Sequence, residues 1–192
     1  MKKLLPILCL TVLISNTSCD TEQEQCINPG FAIAGSTDGN ACSNGTTAMD
    51  SAIKYYHDYD MALIDGSTTA TLKNFYIHSP GGYSFTAMLW LPSDIQYVAD
   101  SATFVKRFAL NDTIDSSANW QNDSGNNDVY LYRDVQAGNP PYIHSGEWID
   151  EQPGYIGLRT QYNNNWYYAW VNLKVTSADT SIHVLGWSAY HP

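Results

Sequence analysis

The residues best equipped for chemistry lie in one acidic run, Glu147-Trp148-Ile149-Asp150-Glu151. Two carboxylates on one face of a strand can flank a sugar linkage, one donating a proton while the other attacks or activates water. The spacing here does not supply that face. Glu147 and Asp150 are three apart and Asp150 and Glu151 are adjacent, so a regular strand would point them to opposite sides. Pro153 and Gly154 follow closely and favour a loop. His57, Asp58 and Asp60 offer metal-ligand atoms, and Asp123, Asn126, Asn127 and Asp128 could line a calcium loop, though without the residue order of an EF-hand. Solvated turns are the simpler reading of both, so no metal site and no cofactor is expected, with calcium the one metal worth weighing. The remaining histidines, His78, His144, His183 and His191, belong to no HExxH, and no GxSxG turn is present.

Aromatic side chains are the other chemical resource. Trp148, Tyr155, Trp166, Tyr167, Tyr168, Trp170, Trp187 and Tyr190 crowd the C-terminal quarter. Exposed indole and phenol rings make platforms for a sugar or a protein partner, and Trp148, Trp166, Tyr168, Trp170 and Trp187 are the candidate ligand-binding set. The competing reading packs the same rings between two sheets.

What must position these residues is a set of strands. Tyr83, Phe85, Ala87, Leu89 and Leu91 alternate with Ser84, Thr86, Met88 and Trp90, and Ser79-Pro80-Gly81-Gly82 joins them to Leu72–Ile77 as a hairpin. Further short strands are expected at 104–110, 129–135, 155–162, 166–175 and 182–190. Asn163-Asn164-Asn165 marks a tight turn, because asparagine tolerates the left-handed conformation. The last three strands then form an antiparallel meander. A helical turn fits 48–56, and a long loop or hairpin excursion fits 111–128. The fold expected is all-β, an antiparallel β-sandwich of jelly-roll type occupying residues 48–192.

The start of the chain has a different character. Lys2 and Lys3 precede an apolar run from Leu4 to Ile14, then Ser15-Asn16-Thr17-Ser18-Cys19. A charged start, a core too short to span a bilayer and small residues before a cysteine describe a signal peptide over residues 1–18. The layout resembles the lipobox of bacterial lipoproteins, with Asn16 where that pattern carries Leu, Val or Ile. The resemblance implies lipid on Cys19 and a gram-negative outer membrane as destination, at the surface or the periplasmic face. The alternative is an ordinary secretory signal that leaves Cys19 a plain thiol.

Residues 19–47 read as a flexible tether and disulfide-bearing lead-in, rich in Gly, Ser, Thr and Asn and broken by the apolar patch Phe31-Ala32-Ile33-Ala34. In an oxidising compartment Cys26 and Cys42 are the natural disulfide pair, worth about 3 kcal/mol by loop-closure entropy. The formal net charge of −10 argues against nucleic acid and against an anionic lipid surface as direct partners, since both need lysine and arginine. Attachment to the membrane is therefore expected through the lipid alone.

Pro153-Gly154-Tyr155-Ile156-Gly157-Leu158-Arg159, with Trp166-Tyr167-Tyr168-Ala169-Trp170-Val171-Asn172-Leu173 after it, resembles the "YIGFR … YYGWV" ending of a broad set of secreted bacterial β-sandwich proteins. Ala169 stands where that set tends to glycine. The resemblance implies a fold and an extracytoplasmic location, and brings no catalytic residues with it. The sequence thus reads as a cell-envelope lipoprotein, a non-enzymatic module for glycan or protein contact or a structural one. A glycan-active hydrolase of sandwich fold is the alternative.

Overall fold

The computed structural model describes residues 30–36, 43–45, 51–53, 58–64, 68–79, 82–101, 104–122, 128–136, 142–148 and 150–190. They hold fifteen strands and no helix. In chain order these are β1 (Phe31–Ile33), β2 (Ser43–Gly45), β3 (Ser51–Ile53), β4 (Asp58–Ile64) and β5 (Thr68–Ser79). There follow β6 (Gly82–Trp90), β7 (Ile95–Ser101), β8 (Phe104–Val105), β9 (Thr113–Asp115) and β10 (Trp120–Gln121). The last five are β11 (Asp128–Gln136), β12 (Tyr142–Ser145), β13 (Gly154–Tyr162), β14 (Asn165–Thr176) and β15 (Ser181–Tyr190).

The order β10-β7-β13-β14-β15-β4-β5-β6-β11-β12 runs through both layers of a sandwich. One layer is β7-β13-β14-β15, the other β4-β5-β6-β11-β12. They meet at two flanks, where Tyr190 pairs with Ile64 and where β8 bridges β7 and β11, so the sandwich approaches a closed barrel. Among the described residues only the β15–β4 and β11–β8 contacts are parallel, each over one residue pair; the other pairings are antiparallel. The expected hairpin is β5–β6 and the expected meander is β13–β14–β15. Asn163 and Asn164 both have positive φ, 49° and 64°, as a two-residue turn that follows strand twist requires.

Alternation places Leu72, Phe85, Ala87, Leu89 and Leu91 from one layer against Ile156, Leu158, Val171 and Leu173 from the other, forming the main core. The outer face of β13–β14 is also covered. Ala32, Ala34, Val98, Phe108, Ile114, Tyr168 and Trp170 form a second core there, roofed by β1, β9 and the segment between β8 and β10. Phe108 pairs with Tyr155 through two backbone hydrogen bonds of 2.8 and 3.0 Å, which seats the roof on β13.

Three expectations change. The apolar patch 31–34 is a folded strand and turn, with Ala34 fully buried, because its methyl groups complete the second core; the tether expected over 19–47 therefore cannot include it. Ser51–Ile53 is a strand paired with β15 where a helical turn was expected, since Ile53 gains a place in the main core. The long loop or hairpin excursion expected over 111–128 contains β9 and β10, which pair with β1 and β7 rather than with each other and belong to the roof and its margin.

Gly157 shows how close the roof lies. A Cβ there would stand 2.8 Å from Ile114 Cγ2 and 3.2 Å from Val98 Cγ2. Gly157→Ala should push the roof off the sheet at a cost of about 1–3 kcal/mol. Urea unfolding followed by tryptophan fluorescence checks this, with the emission red-shifted as Trp170 gains water; an unchanged midpoint and spectrum would contradict the close approach.

Candidate functional site

The five candidate aromatics do not form an exposed row. Trp148 is 1% exposed and donates its indole N–H to the Val105 carbonyl at 3.3 Å, which makes it an internal anchor. Tyr168 and Trp170 are 5% and 6% exposed beneath the roof, and Trp170 Nε1 donates to Ser36 O at 3.0 Å. Trp187 is half-buried, edge-on to Tyr59 at 5.8 Å. Trp166 is half-buried too, with its ring against the Arg159 guanidinium. For the rings of β14 the reason is the roof, which covers Tyr168 and Trp170 and leaves Trp166 at its margin, while Trp148 and Trp187 belong to the main core and its edge.

The acidic run is engaged in holding its own loop. Glu147 accepts the Arg107 backbone N–H at 2.6 Å, and both Asp150 oxygens accept the Arg107 guanidinium, one of them at 2.7 Å. Glu151 Oε1 accepts the Ser177 N–H at 2.9 Å and its hydroxyl at 2.6 Å. Hydrogen bonding from Arg107 holds the Asp150 carboxyl at about 2. That direction opposes proton donation to a leaving group, which needs a raised pKa. Asp60 Oδ1 accepts the Thr71 hydroxyl at 2.7 Å, and no cluster of three or more metal-ligating side chains occurs among the described residues. Cys19, Cys26, Cys42, His57, Asp123, Asn126 and Asn127 lie outside the described residues, as does the side chain of Asp128.

The more distinctive constellation was not expected. Pairing aligns Tyr76, Phe85 and Asp134 in one cross-strand row of β5, β6 and β11, and β12 places His144 beside Asp134. One row nearer the middle, the side-chain amide of Asn74 donates to Ile53 O at 2.8 Å and to Thr180 O at 2.6 Å. Thr180 belongs to the β14–β15 turn, so the facing sheet ends there and the Tyr76–Asp134 row continues past it. Tyr83 lies one row further out, stacked on Tyr76 at 6.1 Å.

Asp134 is buried, with a side chain 7% exposed. Its Oδ2 accepts the Tyr83 hydroxyl at 3.5 Å, and Oδ1 accepts no hydrogen bond among the described residues, although His144 Nδ1 stands 3.4 Å away. His144 Nδ1 is also 3.2 Å from the Tyr132 hydroxyl. The tautomer with a proton on Nδ1 faces the carboxylate; the other accepts from Tyr132. Burial, then the Asp134 charge, pushes the Tyr132 hydroxyl up to about 12, so it remains a protonated donor at neutral pH. The arrangement is a buried carboxylate short of donors, bordered by stacked phenols and a 41% exposed imidazole.

The sequence held this site, but a β-bulge hid it. Alternation from Val129 keeps Leu131 in the main core and would put Arg133 inward next; the register shift between Tyr130 and Tyr132 inserts one residue, so that Tyr132 and Asp134 face inward and Arg133 faces out. Comparison with protein-family models, curated proteins and solved structures finds no match.

The Arg107–Asp150 pair sets an acid limit on the loop that carries Trp148. The folded pKa lies below the ordinary 3.8, so its contribution is complete above that value and lost as pH falls toward about 2. Asp150→Asn should flatten the loss of stability between those two pH values, read as denaturation midpoint against pH. Parallel profiles for the two proteins would rule this pair out as the cause.

Proposed function

We propose that this chain is an exported, lipid-tethered binding module that holds a glycan through the Tyr76, Tyr83, Asp134 and His144 cluster. The supporting observation is the buried Asp134 carboxylate, whose Oδ1 accepts no hydrogen bond among the described residues and has His144 Nδ1 at 3.4 Å as its ion-pair neighbour. An under-satisfied buried acceptor costs stability, about 1–3 kcal/mol, unless something supplies the donor. Sugar hydroxyls are donors on an apolar ring body, and the stacked Tyr76–Tyr83 pair offers apolar faces beside the carboxylate. Binding fits this geometry better than hydrolysis, because the remaining acids of the 147–151 run are committed to Arg107 and Ser177.

A glycan array with the chain from Asp20 onward tests the reading. Neutral oligosaccharides should bind, and Asp134→Asn and Tyr83→Ala should each weaken binding about tenfold or more while the protein stays folded by circular dichroism. Absence of binding to any glycan, or variants that bind as tightly as the parent, would move the role to protein contact or to structure.

Export is supported by the layout of residues 1–19. One acyl chain anchors weakly and several anchor durably, so a lipidated Cys19 would keep the module at the envelope. Intact-mass measurement on the native protein should show a chain beginning at Cys19 with added acyl mass, and Cys19→Ser should move the protein to the soluble fraction. Met1 still attached, with an unmodified thiol at Cys19, would overturn the lipoprotein reading.

A further inference from the structure

On the outer face of β13, away from the Asp134 cluster, Arg159 lies between two indoles. Its guanidinium carbon is 4.4 Å from the ring centre of Trp120 and 4.2 Å from that of Trp166. Arg159 Nε donates to Gln96 Oε1 at 2.7 Å. Trp120 is fixed in turn, its Nε1 donating to Asp115 O at 2.7 Å and its ring edge-on to Tyr168 at 5.6 Å. Stacking between two π-faces and the Gln96 bond remove most of the freedom a surface arginine has. The bond to Gln96 uses Nε, which leaves the Nη1–Nη2 edge. No described carboxylate pairs with that edge, and all three side chains of the ladder are half-buried and reach solvent. Other cations of this acidic chain are differently engaged: Arg107 is paired with Asp150, while Lys73 and Lys106 lie over Trp90 and Phe108.

We infer that the Trp120–Arg159–Trp166 ladder is a binding site for a carboxylate group on an otherwise neutral ligand. A planar guanidinium edge with two parallel N–H donors matches a carboxylate bidentately, and the ladder holds it ready without ordering cost on binding. The net charge of −10 disfavours polyanions and dianions, which leaves a single negative group as the compatible charge. The site is independent of the glycan reading, since it lies on the other sheet of the sandwich and shares no residue with that cluster.

The test titrates the full chain with D-galacturonate and with D-galactose, which differ in the carboxylate alone, and with inorganic phosphate. Indole N–H signals are followed by NMR. Galacturonate should shift the Trp120 and Trp166 signals and galactose should leave them in place. Arg159→Gln should abolish the shift, and Arg159→Lys, which keeps the charge but loses the planar fork, should weaken binding tenfold or more. Asp134→Asn should leave the galacturonate response unchanged, so that failure of one site is distinguishable from failure of the other. Equal shifts with galactose, tighter binding of phosphate than of galacturonate, or an unaltered response in a folded Arg159→Gln protein would overturn the inference.

Discussion

Burial of both faces of β13–β14 is the constraint on which the rest depends. A sandwich layer needs only one dry face, yet β14 alternates Tyr168 and Trp170 with Ala169 and Val171, and both sets are buried. Removing a large ring from water is worth roughly 4–6 kcal/mol at about 25 cal/mol per Å² over 150–250 Å². Exposing the outer set would forfeit that gain, so part of the chain must lie over it. The segment from Lys106 to Trp120 and the strand Phe31–Ile33 do so, and Ala34, Asn111 and Asp112 tie the two together by backbone bonds of 2.9 Å. Small side chains make the approach possible: Gly157 beneath Ile114, and Ala32 and Ala34 within the roof.

This constraint also explains which parts of the fold were legible. Strands with a simple alternation, such as 83–91, could be read directly, and so could the Asn163–Asn164 turn, because both signals are local. The roof could not be read that way. Thr113–Asp115 and Phe31–Ile33 are three residues each, too short for a period to emerge, and the paired residues are 80 to 84 positions apart in sequence. β7 carries no legible pattern for a similar reason: Ile95, Tyr97 and Ala99 enter the main core while Val98 enters the second, so no clean polar face marks it. A strand buried on both sides loses the alternation that identifies one.

The same logic separates the two candidate sites from the aromatics that sequence composition put forward. Large rings concentrated in one meander were open to two readings, and the roof decides in favour of packing for Tyr168 and Trp170 while leaving Trp166 at its margin. Arg159 is held where the roof stops at Trp120, so the ladder is the border of the second core rather than a separate structure. Tyr76, Tyr83 and Asp134 are held where the other boundary falls, beyond the turn that closes β14 and β15. Sites thus arise where one layer outruns the element covering it, since partial burial fixes a side chain without sealing it.

Asp134 and Arg159 differ in what that boundary leaves them. Arg159 is satisfied at Nε by Gln96 and lies over two indole rings, so its remaining edge is polar and reaches solvent at little cost. Asp134 is nearly sealed, and the bulge that turns it inward places Tyr132, Phe85 and Tyr83 around it rather than a lysine or an arginine. A hydrophobic residue at the same position would pack against Phe85 and spare the desolvation of a charge. A carboxylate there therefore opposes the stability of the layer that carries it. Positions that oppose stability in this way concentrate at functional sites, and this is the physical ground on which the proposed binding role of Asp134 rests.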